Sequence, residues 1–357
     1  MNKQTLIEAP LPASPRRGWI DHAKGLCIIL VVMMHTALGV EKEIGQTGFL
    51  HAIVAWTKPF RMPDFFLLSG YLAAGIGVLS WRSFVDRKVL RYTYFYVLWL
   101  AILTTLKAGT TFLAAPANVI SAFAFGLIEP FSTLWFIYVL PFFMLAAKLA
   151  KGKLAYLIGV SAILLHLWSA AYPFGGAYAM TSQATTSTAI NSISLFFVFF
   201  LAGYLGRHWI DALLETASRK LSLSVATLAI WVGLHSYTWH LGITGVPGLT
   251  ILFGLLGGLA VALLALLLDR VNGFGWLAYC GRHSLPIYLA FVIPMAASRE
   301  ILASTDFAKY PDLMMILVLF VAILVPLVIE RAVRGRQLGF LFARPAWARA
   351  FITREGI

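Results

Sequence analysis

The chain has 357 residues, enough for two or three soluble domains, yet 60% are hydrophobic and 12% charged. A soluble surface needs about a quarter charged residues, so the composition excludes a water-soluble protein and points to a bilayer. The mean hydropathy of +0.83 is spread along the whole length, which also excludes a single anchor carrying a soluble domain.

In chain order, residues 1–18 are polar, contain three prolines and precede an apolar run without a small-residue cleavage site. They read as a short lead before an uncleaved first helix. Apolar stretches of about 17 to 22 residues then begin near residues 20, 60, 89, 133, 153, 190, 221, 248, 276 and 312. The expected fold is all-α, a polytopic integral membrane protein with about ten transmembrane helices: lead 1–18, transmembrane domain 19–330, basic tail 331–357. The nearly uncharged connections 108–132 and 171–189 are expected to cap a cavity from outside. After Glu330, six arginines among aromatic residues predict a helix lying on anionic lipid.

An even number of spans returns both ends to one side, and the connections sort into two alternating sets. One set carries 22 of the 28 basic residues and the other 6, namely Lys42, Lys58, Arg61, Lys107, Arg299 and Lys309. By the positive-inside rule both termini are cytoplasmic. The net charge of +13 is therefore a topology signal, and no nucleic-acid partner is expected. Cys27 and Cys280 both lie in apolar runs, which argues against a disulfide framework or a cysteine-rich metal site. His166, His235 and His240 lack metal-ligand spacing, so no metal is assigned.

Ionisable side chains inside spans are costly and are functional candidates by default. Lys24 and His35 are eleven residues apart, three helical turns plus about 20°, so they share one face with about 16 Å between them along the axis. A cation at the mouth below a buried proton acceptor suits a long donor whose phosphates stay outside while its reactive end reaches inward. Acyl-coenzyme A has that shape. Taken alone, His35 also fits a hydrogen-bonded packing residue and Lys24 a snorkelling anchor. The third span opens with Arg87, Lys88 and Arg91 at helical spacing, a cluster able to clamp phosphates or to serve only as positive-inside charge.

Five segments in order carry a resemblance. They are Asp21-x-x-Lys24-Gly with His35, Phe60-Arg-Met-Pro-Asp-Phe-Phe-Leu-Leu-Ser69-Gly70, Lys88-x-x-Arg91, Leu134-Trp135-Phe136-Ile-Tyr138, and Gly281-Arg282-His-Ser284-Leu285-Pro286-Ile-Tyr288. Together they resemble the acyltransferase 3 family of integral-membrane O-acyltransferases, across residues 20–290. The resemblance implies a ten-helix core that moves an acyl group, usually acetyl, from cytoplasmic acyl-coenzyme A to a hydroxyl of an extracytoplasmic glycan or glycolipid. It implies Lys24 and His35 as the family's basic-x10-His motif and Lys88 and Arg91 as its basic-x-x-Arg motif. The chain departs from the pattern at Thr93 and Tyr94, where a proline often stands. Phe291 replaces a frequent histidine, and Asp64 replaces an apolar residue, marking a particular acceptor or a salt bridge with Arg61.

The expected chemistry assigns coenzyme phosphates to Lys24, Arg87, Lys88 and Arg91, and the general base to a neutral His35. Asp21 is expected to steady Lys24. Asp64, Ser69, Trp135, Tyr138 and Arg282 are candidates for acceptor contacts or oxyanion donors. Trp135 and Tyr138 read equally as interfacial aromatics, and Ser69-Gly70 as a close-packing pair. Glu129 reads as an exposed loop acid or a contact for sugar hydroxyls. No permanently bound cofactor is expected; acetyl-coenzyme A is the donor co-substrate, membrane lipid the surroundings, and the bacterial inner membrane the location. The competing reading is a proton-coupled transporter of a small anionic or lipid-linked solute, in which His35 relays protons.

Overall fold

The computed structural model describes residues 18–109, 116–171 and 187–349. The expected lead, parts of both long connections and the end of the tail with Arg354 lie outside the described residues. α1 (Gly18–Ile44), α2 (Phe49–Ala73) and α3 (Trp81–Ala108) open the chain, and α4 (Pro116–Ile128) and α5 (Trp135–Leu149) form one bent element. α6 (Lys153–Ala171), α7 (Thr188–Leu205), the short α8 (Arg207–Arg219), α9 (Leu221–His240) and α10 (Leu249–Leu268) follow. The last span group is α11 (Gly275–Arg282), α12 (Ser284–Ala290) and α13 (Val292–Ala303), then α14 (Pro311–Val333). Every described residue is in a helix, a turn or a connection, and none is in a strand.

Eight of these elements are long and apolar enough to cross a membrane, and α12 with α13, bent by 53°, makes a ninth. The second expected span fails that test because every 18-residue window of α2 holds Lys58, Arg61 and Asp64. It is nonetheless a 25-residue helix at the centre of the bundle. The ten expected spans thus each find a helix, in an all-α polytopic integral membrane protein. The third span starts at Trp81, earlier than expected, and winds residues Val85–Leu90 as a π-helix. The connection 108–132 is corrected: an apolar run makes it the helix α4, started by Pro116 at a position where the missing N–H costs nothing.

Close packing comes from glycine. A methyl on Gly70 would run into the backbone of α7 at Phe200, and one on Gly203 would run into α2 at Leu67. The same reciprocity joins α1 and α11, where Gly25 meets Leu277 and Gly281 meets Asp21. Small residues let backbones approach in lipid, where helix association rests on van der Waals contact. This favours the packing reading of Ser69-Gly70.

Contacts sort the helix termini into two ends. At one end His22 Nδ1 lies 3.4 Å from Asp269, Arg282 3.8 Å from Asp21, and Tyr71 donates to Asp211 at 2.7 Å. Lys148 Nζ donates to the carbonyls of Ile76 and Leu79 at 3.0 and 2.6 Å. At the other end the Phe49 amide donates to Asp312 at 2.7 Å and Arg299 pairs with Glu43 at 3.0 Å. The first is the basic end.

The tail is a second correction. Residues after Val333 form short 3-10 turns at Gln337–Leu341 and Ala346–Ala348, folded back on α3. Tyr94 and Trp99 donate to the carbonyls of Phe340 and Leu341, each at 3.0 Å. Arg344 holds both carboxylate oxygens of Asp86 at 2.7 Å and its carbonyl at 2.6 Å. Specific partners on α3, rather than a continuous apolar face, decide this arrangement.

Candidate functional site

His35 sits on α1, the helix that touches α2, α10, α11, α12, α13 and α14. Its ring lies 5.4 Å from that of Phe291, which is completely buried, so the imidazole points into the bundle and away from lipid. The position where the resembled family often places a histidine is therefore the one that faces His35. Here an apolar ring occupies it. The imidazole keeps partial exposure and makes no hydrogen bond to a described residue.

The second close group is Arg61, 2% exposed and within electrostatic reach of the imidazole. Its guanidinium donates to Val54 O at 3.0 Å, to Thr57 Oγ1 at 3.4 Å and to Met34 Sδ at 2.8 Å. Met34 precedes His35 on α1, so the contact ties the guanidinium to the helix that carries the imidazole. Sequence reasoning placed Arg61 in an outer connection. The available signal was a lone arginine inside the apolar run Phe60-Arg61-Met62, since a buried charge in a span has a functional or structural partner.

Lys24 is partly exposed near the basic end, and Arg87 and Arg91 are exposed on α3 with Lys88 partly buried between them. The structure brings all four to that end. On the shared face between Lys24 and His35, however, Ile28 and Val31 are packed, at 0% and 6% exposure. Met34, Leu38 and Gly39 beside His35 keep partial exposure. Ile28 and Val31 thus close the way from the imidazole towards Lys24.

The remaining candidates are distributed. Ser69 Oγ donates to Phe65 O in its own helix at 2.8 Å, and Tyr138 Oη donates to Ile128 O at 2.8 Å across the α4–α5 bend. Arg282 pairs with Asp21, about 21 Å along α1 from His35. None of the three is brought to the imidazole, and Arg282 instead joins the cations of the basic end. Trp135 packs against Phe66 and Phe196 at 5.8 and 5.5 Å between ring centres. Asp64 is 2% exposed, with Cys27 and Arg61 as its polar neighbours. It lines a cavity of about 20 Å³ with Trp19, Cys27 and Tyr71, room for one water, on the basic-end side of Arg61. Glu129 accepts from the Ser187 hydroxyl at 2.6 Å and from the Thr188 amide, which caps α7. It is a structural acid. No group of three or more metal-ligating side chains occurs among the described residues.

A family model described as an acyltransferase domain matches residues 17–331. The inner membrane protein YcfT of Escherichia coli (strain K12) is 27% identical over 157 residues. The match covers 37% of this chain and 43% of that relative, so the chain spans less than half the length of the curated protein it matches. No solved structure matches. The basic-x10-His and basic-x-x-Arg segments, carried on α1 and α3 at one end of a helical bundle, lie within the matched span, and the chain belongs to the acyltransferase 3 family.

Proposed function

We propose that this integral membrane protein is an O-acyltransferase of the bacterial inner membrane. It takes an acyl group, acetyl by preference, from cytoplasmic acyl-coenzyme A and delivers it to a hydroxyl of an extracytoplasmic glycan or glycolipid. The observation that carries this reading is His35: an imidazole turned into the bundle against Phe291, without a hydrogen-bond partner among the described residues and with a buried arginine within electrostatic reach. The family match supports acyl transfer as the reaction class, and the relative is named an inner membrane protein. The basic end is cytoplasmic by the positive-inside rule.

In this mechanism Lys24, Arg87, Lys88, Arg91 and Arg282 neutralise the donor's phosphates through charge-assisted hydrogen bonds. His35 accepts the proton of the acceptor hydroxyl as its oxygen attacks the thioester carbon. A tetrahedral oxyanion forms, the carbon–sulfur bond breaks, and the imidazolium returns the proton to the departing thiolate. Arg61 supplies positive charge where the oxyanion develops, a low-dielectric setting in which such charge is most effective. Ile28 and Val31 must rotate aside for the pantetheine arm to pass, so donor binding and opening of this barrier are coupled.

Mass spectrometry of surface glycans from cells with and without the gene tests the reading. Acyl esters that disappear with the gene and return with wild-type protein but not with His35→Ala support it. An unchanged ester profile, with purified protein that consumes no acyl-coenzyme A, contradicts it and favours transport.

A further inference from the structure

We propose that the folded tail, residues 335–347, is the adenosine-binding wall of the donor site. This rests on the acyl-coenzyme A reading and extends it to a subsite. Three observations place the wall. Arg344 grips Asp86 through three hydrogen bonds of 2.6 to 2.7 Å, inside the π-helical turn that also carries Arg87 and Lys88. The tail is therefore fixed against the segment that presents the basic residues. Next, the Trp347 ring lies 6.3 Å from that of Tyr94, and Tyr94 follows Arg91 by three residues, within about 60° on the helix. Finally, the tail encloses an open hollow of about 540 Å³ lined by Arg336, Gln337, Phe340, Arg344 and Trp347, a nucleotide-scale volume.

The chemistry of the hollow matches one end of the donor. Trp347 is 80% exposed and offers a ring face on which a purine stacks. Gln337 carries both the donor and the acceptor that an adenine edge requires. Arg336 adds a cation for the ribose phosphate. A tryptophan that only anchored the tail in the membrane interface would need no concave surround carrying Arg336 and Gln337.

The test compares two donors on the full-length protein in lipid nanodiscs, acetyl-coenzyme A and acetyl-pantetheine, which lacks the nucleotide. The readout is the ratio of their KM values, measured within one preparation so that loss of folded protein cancels. For Trp347→Ala the KM of acetyl-coenzyme A relative to acetyl-pantetheine rises about tenfold, the scale of losing one base–aromatic stack. Trp347→Phe preserves the ratio. Gln337→Ala shifts it in the same direction and serves if Trp347→Ala does not fold. Trp347→Ala and Gln337→Ala variants that leave the ratio unchanged overturn the inference, as does wild-type protein with equal KM for both donors, while acyl transfer itself still stands. Wild-type protein that turns over neither donor and binds no coenzyme A removes the acyltransferase reading and the wall together.

Discussion

His35 is surrounded by two residues of opposite character, and each carries a consequence. Phe291 offers no proton, so in the proposed mechanism His35 alone accepts and returns it. His35→Ala should reduce turnover by about 10² to 10⁴, the usual contribution of general-base catalysis, as measured by thiol release under saturating donor. Arg61→Gln removes the charge beside the imidazole while keeping hydrogen-bonding capacity towards Val54 O. The expected result is a kcat lower by about 10² to 10³ with KM nearly constant, because the interaction acts on the transition state. His35 was legible in the sequence as an imidazole deep in an apolar run. Arg61 was not, because the second helix begins at Phe49 while Lys58, Arg61, Asp64 and two prolines depress the local hydropathy and hide its first turns. The positions of Tyr138 and Arg282 were equally hidden, since their partners at Ile128 and Asp21 are fixed by three-dimensional packing, whereas Ser69 bonds only within its own helix.

Helices meet in this bundle through glycine pairs, and the pairs predict which substitutions the fold tolerates. Gly70→Val or Gly203→Val inserts a side chain where a single methyl already meets backbone, so α2 and α7 must separate. Size-exclusion profiles of the extracted protein should show loss of the monodisperse species for either variant. Gly233→Ala, on α9 with nothing within 4 Å, should leave the profile intact and serves as the control. The Asp86–Arg344 latch makes a second prediction. Both side chains are about nine-tenths buried, so Asp86→Ala leaves an uncompensated arginine at a cost of about 3 kcal/mol, read as a lowered melting temperature. The span pattern made the helices visible in the sequence. The latch was invisible because 258 residues separate its partners, and the tail's arginines read as lipid contacts.

Across the whole molecule the asymmetry is between two ends, one rich in cations and one with few of them. The charge count made this legible before any contact was known, and the contacts of Arg282, Lys148 and Arg344 gather the cations where the sorting put them. Its orientation is testable by cysteine labelling in intact cells. Lys309→Cys should react with a membrane-impermeant maleimide and Lys151→Cys should react only after permeabilisation; the reverse pattern would invert the proposed topology. The barrier of Ile28 and Val31, set between His35 and the cationic end, could not be read from spacing, because spacing fixes the face of a helix and not what packs on it. The most direct test of the account is donor turnover by purified protein: acetyl-coenzyme A with an acceptor glycan, following free thiol and glycan ester together. The account predicts saturable release of one thiol per ester formed, lost in His35→Ala. Release that persists undiminished in His35→Ala, or thiol that appears without ester, would contradict it.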